Sequence, residues 1–141
     1  MKLIAFRSEY QITVEPLKNR AFYQNFEAMQ QARRLPYYLE DWSKALQEVT
    51  PGFTILADLQ FVNQTGSAAL RPVFEAAERL LFRHGVRMVA EVHIPGDPTH
   101  LLSDEVNIGS LPVRSFLSLW DADQFLDDLE TGLPELDQPA G

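Results

Sequence analysis

Residues 51–59 read Pro51-Gly52-Phe53-Thr54-Ile55-Leu56-Ala57-Asp58-Leu59, a turn pair followed by a run that is apolar at nearly every position. Apolar residues on both alternating sides, Leu56 included, suit a strand in the middle of a sheet. Ser67 then heads an amphipathic stretch whose stripe is Leu70, Val73, Phe74, Ala77, Leu80 and Leu81, ending at His84 with Gly85 placed as a left-handed terminator. Pro72 is tolerated only in a first helical turn, which moves the regular helix start towards Arg71. Val86–Ile94 alternates next, with Val86, Met88, Ala90, Val92 and Ile94 opposed to Arg87, Val89, Glu91 and His93, the period of a strand with one dry face. Strand, helix and strand in that order require a crossover and therefore parallel pairing.

Working towards the N-terminus, Leu39, Trp42, Leu46 and Val49 recur at helical steps, so Leu39–Val49 is expected to be a helix, with Glu27–Pro36 a loop before it. Tyr10–Glu15 alternates, Pro16–Asn19 supplies turn residues and Arg20–Phe26 is rich in aromatics, which together predict a hairpin. Towards the C-terminus, a short helix over Pro98–Val106, a strand over Val113–Trp120 and a closing helix over Ala122–Thr131 complete the order β-β-α-β-α-β-α-β-α. The expected fold class is α/β, a mixed four- to five-stranded sheet with helices packed mainly on one face. Residues 1–132 form the expected domain and residues 133–141 an acidic, disordered tail. The alternation of Tyr10–Glu15 and Val86–Ile94 predicts that the second sheet face is left to water or a partner.

A chain of 141 residues with 45% hydrophobic content has the size of one domain and can close a core. The absence of cysteine removes disulfides, thiolate metal sites and a cysteine nucleophile. A net charge of −8 opposes binding to nucleic acid and to anionic membranes. Seven acids and no base follow from Asp121 onward, which reads as a solubilising, fraying end. The apolar run Met1–Phe6 is too short for a signal-peptide core or a membrane span, so a cytoplasmic location is expected.

The chemistry-bearing residues do not assemble into an enzyme signature. Neither a dinucleotide fingerprint nor a P-loop occurs, and Gly66-Ser67-Ala68 is not a nucleophile elbow. His93 and His100 flank Gly96-Asp97, and the pair His100 and Asp104, four residues apart, has no third ligand at motif spacing; His84 reads as a solvated helix-end residue. No metal, cofactor or catalytic residue is expected. Glu75/Glu78 and Asp127/Asp128 read as solvated helix faces.

The segment from Pro51 to Arg87, with Asp58-Leu59 closing a strand and a Ser-headed helix following, resembles the STAS-like domains related to bacterial anti-sigma-factor antagonists. That resemblance implies a non-enzymatic protein–protein interaction and regulatory module, whose partner is a protein or a second copy of the chain. It places the family's phosphorylated serine on Ser67, where a helix N-terminus favours the added negative charge. Gly66 stands where the family has aspartate, and Ala68-Ala69 replace its second serine and glycine. Ser67 is thus either a phosphoswitch or a plain helix cap. The interaction surface expected from these readings comprises Asp58, Asn63, Gln64, Thr65 and Gly66, with Leu56 and Val89 as the apolar centre of an open sheet face. The alternative function is carriage of a small apolar ligand or lipid between helices and sheet, lined by the aromatics of the first third.

Overall fold

A computed structural model describes residues 1–26, 36–60, 71–93 and 111–131. Its elements are β1 (Lys2–Phe6), β2 (Tyr10–Glu15), a 3₁₀ turn (Pro16–Lys18), β3 (Arg20–Asn25), α1 (Pro36–Leu46), β4 (Thr54–Asp58), α2 (Arg71–Arg83), β5 (Met88–Val92), β6 (Val113–Phe116) and α3 (Leu119–Thr131). The sheet has six strands in the order β1-β2-β3-β4-β5-β6. β1 to β3 pair antiparallel and β3 to β6 parallel. The architecture is α/β with a mixed sheet, as expected, and it carries one strand more than the alternation predicted.

β1 escaped the pattern for a physical reason. Leu3 pairs with Thr13 and Ala5 with Ile12, so Ile4 is an extra residue that breaks the two-residue period. α1 starts at Pro36, whose missing N–H is harmless at a first helical position, instead of at Leu39. β6 stops at Phe116 because Ser118 caps the next helix, its hydroxyl accepting the Asp121 N–H at 3.2 Å. α2 ends as predicted. Gly85 lies at φ +85°, Val86 N–H donates to the Leu81 carbonyl and Gly85 N–H to the Phe82 carbonyl. A β-carbon on Gly85 would also stand 3.1 Å from that of Pro51.

Topology decides which faces are covered. Strands β3 to β6 succeed one another in one direction, so right-handed crossovers deliver α1 and α2 to the same face. There Ile12, Tyr23, Ile55 and Val89 from the strands meet Tyr38, Trp42, Ala77 and Leu81 from the helices. α3 follows β6, links no two of the described strands, and folds onto the other face, where Ala122 and Leu126 bury Leu56, Ala90 and Val92. The expectation of a single covered face is therefore corrected: both sides of β4 and β5 are dry.

α3 also corrects the reading of the C-terminal acids as a fraying end. Arg20 of β3, 4% exposed, bonds Asp123 and Asp127 at 2.9 Å and Glu130 at 3.1 Å, and Lys18 reaches Asp127 at 3.2 Å. Burial alone would raise the Asp127 carboxyl, but the bonds and charges of Lys18 and Arg20 outweigh it and hold it below the usual range. On the opposite face Arg7 grips Asp41 of α1 with two bonds of 2.8 Å, and the Tyr10 hydroxyl donates to the same carboxylate at 2.5 Å. The expected helix over Pro98–Val106 and the expected tail at 133–141 lie outside the described residues.

Candidate functional site

Parallel strands present their carboxyl ends along one edge of a sheet, the position where open α/β folds place ligands. At that edge β3 and β4 end in, and β5 is followed by, polar residues that are nonetheless buried: Asn25, Asp58 and His93, with Glu91 one turn of the pleat below His93. Asp58 Oδ1 accepts the Gln60 N–H and its side-chain amide, both at 3.1 Å. Glu91 has no exposed surface, and its carboxylate lies 3.1 Å from His93 Nε2. A carboxylate at that distance orients an imidazole and selects its tautomer, which allows the pair to hold or pass a proton. Among the described residues no three histidines or carboxylates are grouped to hold a metal ion.

Beneath this edge lies an aromatic layer. Tyr10 stacks on Tyr23 at 5.6 Å and Tyr23 on Trp42 at 5.8 Å, while Tyr38 stands edge-on to both tyrosines. Burial pushes the Tyr10, Tyr23 and Tyr38 phenols above their ordinary range, and nearby negative charge adds to it, from Asp41 on Tyr10 and from Glu91 and Glu78 on Tyr38. Glu78, read from sequence as solvated, is 6% exposed. It belongs with this layer, and the Glu75/Glu78 reading is corrected for it.

A second surface lies on the α3 side of the sheet. α3 reaches β4, β5 and β6 and, through Arg20 and Phe22, the flank of β3. Over β1 and β2 no described element follows it. Leu3 and Phe6 point to this side, being opposite Thr13 and Gln11, and are 58% and 68% exposed. Phe26 continues the same side of β3 and meets Phe6 edge-on at 6.2 Å. These rings form an apolar patch with Gln11 and Gln24 beside it.

The predicted surface fares unevenly. Asp58 closes β4 as expected but is 4% exposed. Leu56 and Val89 do not share an open face: Leu56 is buried under α3, and Val89 is buried on the α1–α2 side. Asn63, Gln64, Thr65, Gly66 and Ser67 lie outside the described residues, and α2 as described begins at Arg71 with Pro72 in its first turn. His100 and Asp104 lie outside as well, while His84 is exposed at the helix end as expected. Tyr23 and Tyr38, expected among the aromatics of the first third, are fully buried, and the residue that sequence reasoning misplaced is Glu91. Glu91 was placed on the wet side of an alternating strand, and the signal that it is buried is Val89 and His93 flanking it on the same side, each too apolar or too bulky for a purely solvated row.

Compared with protein-family models, with curated proteins and with solved structures, the chain matches none.

Proposed function

We propose that the chain is a non-enzymatic protein–protein interaction and regulatory module of STAS-like type, docking a partner through the open half of the sheet. The observation that carries this reading is the patch of Leu3, Phe6 and Phe26, apolar and exposed on a sheet whose other faces are covered by helices. The mixed sheet with a parallel run entered from an antiparallel hairpin is compatible with the family resemblance. The regulatory end in this reading is the segment Asn63–Ser67 ahead of α2, with Asp58 fixing its point of departure from the sheet. The ligand-carrier alternative has less support, because the rings that would line its cavity pack on one another at 5.5–6.2 Å.

The test is site-specific photo-crosslinking in cells. A crosslinker at Phe6 is expected to capture a defined partner, or a second copy, that a crosslinker at the exposed Glu40 of α1 does not capture. Leu3→Ser with Phe26→Ser should abolish the capture, and Ser67→Asp should weaken it while Ser67→Ala does not. Equal capture from Phe6 and Glu40, or none from Phe6, would refute docking through this face.

A further inference from the structure

β1 is the outermost strand of the sheet, and its far edge has no neighbouring strand among the described residues. That edge is poorly made for pairing. The register shifts at Ile4, between Leu3 and Ala5, and Lys2 stands at the start of the strand, two devices that keep one sheet edge from adding to another. The face beside it carries no such protection. Leu3 and Phe6 of β1, Gln11 and Thr13 of β2, Gln24 of β3 and Phe26 just beyond it share this side, and Phe6 meets Phe26 edge-on at 6.2 Å. A partner at this end of the sheet is therefore met face-on, not strand to strand.

Charge decides what that partner is. The chain carries a net charge of −8, yet none of these six residues is charged. Among the described residues, charges on this side begin at its margins, where Glu15 lies 4.0 Å from the N-terminal ammonium, Arg20 is gripped by α3 and Asp58 is buried beside Gln24. A cationic partner would find more to bind elsewhere on so acidic a chain. A second copy has the opposite requirement. In a two-fold contact the same surface faces itself, so it must be self-complementary, and a charge on it would meet its own like. Uncharged side chains satisfy that condition, and the amides of Gln11 and Gln24, with donors and an acceptor each, can bond their own copies.

We propose that the Leu3–Phe6–Phe26 strip is a self-association face, on which two copies of the chain stack sheet to sheet about a two-fold axis near Gln11. The proposal rests on the reading of this strip as a docking surface and names its occupant. Gln11 is central, with Phe6 opposite it on β1 and Gln24 opposite it on β3. Three strands and five residues along them span about 14 Å by 17 Å of sheet. That area is well below the roughly 800 Å² a side of a standard interface, so the dimer is weak, with Kd of about 10–100 µM.

Sedimentation velocity on the intact chain, from about 5 to 500 µM, should show a monomer–dimer equilibrium. Raising salt from about 20 to 300 mM should tighten it several-fold, because screening removes the repulsion between two acidic chains. Phe6→Asp sets a charge against its own copy and should weaken association by at least about tenfold. Its circular dichroism spectrum should match wild type, since Phe6 is 68% exposed. The chain has no cysteine, so Gln11→Cys should form a disulfide-linked dimer on oxidation, whereas Glu40→Cys on α1 should not. A chain that stays monomeric at both salt concentrations, or a dimer that Phe6→Asp leaves intact, overturns the proposal. A dimer weakened by salt does so too, because it reports opposite charges in contact. The two readings fail separately. A monomer whose Phe6 crosslinker still captures another protein keeps the docking surface and removes the second copy, while a dimer indifferent to Phe6→Asp, with no capture from Phe6, removes both.

Discussion

The two helical layers of this protein are attached by different physics. On one side, α1 and α2 are brought to the sheet by the chain's own crossovers and meet it through stacked aromatic rings. On the other, α3 follows β6 without linking two of the described strands, and its smaller apolar contact of Ala122 and Leu126 is reinforced by Arg20 and Lys18 against Asp123, Asp127 and Glu130. Where topology does not deliver a helix, side-chain charge does the holding. Over β1 and β2, beyond α3's reach, no described element covers the sheet.

The sharpest way to break the comparison is on the aromatic side. Trp42→Ala removes a fully buried indole from the Tyr23 stack and should cost about 3–5 kcal/mol in urea unfolding, with little dependence on added salt. Arg20→Met keeps volume but leaves three carboxylates facing one another. Because those partners are 29–45% exposed, the loss should be smaller, about 2 kcal/mol, and salt should recover part of it by screening the repulsion. A salt-insensitive loss at Arg20 would erase the distinction between the layers.

pH should separate the layers from opposite ends of the scale. The Tyr10, Tyr23 and Tyr38 phenols are raised in the folded chain, so their contribution is complete below about pH 10, where the unfolded phenols ionise, and is lost as pH climbs further. Asp127 is lowered, so its contribution is present above about pH 4 and is lost as pH falls through its folded value. Alkaline titration followed by phenolate absorbance should therefore coincide with loss of the near-ultraviolet circular dichroism of the aromatic layer. Acid should release α3 first, visible as loss of the difference between wild type and Arg20→Met. The smallest effect is expected on the open strip: Phe6→Ser should change stability by less than about 0.5 kcal/mol, since Phe6 is largely solvated already.

These contrasts also explain what could be read without coordinates. β4 was legible because FTILAD is apolar on both sides, and the end of α2 because only glycine accepts the geometry at position 85. β1 was not, since the bulge at Ile4 scrambles its period. The covering of both faces was missed because alternation reports one wet side only when the polar residues are truly wet, and Glu91 and His93 are not. Asp58 was legible as the end of a strand, whereas its burial was not, since a carboxylate at a strand end reads as exposed. The Leu3–Phe6–Phe26 patch joins residues from two strands separated by a third, a relation that no local pattern encodes.

The strand order has a bearing on how the molecule is made. Each strand pairs with its immediate predecessor in the chain, so the sheet can grow one edge at a time as the polypeptide leaves the ribosome. Arg20 emerges early, yet its acidic partners arrive more than 100 residues later. Until α3 is made, that cation has none of these acidic partners, and the helix acts as the latch that closes this face of the sheet.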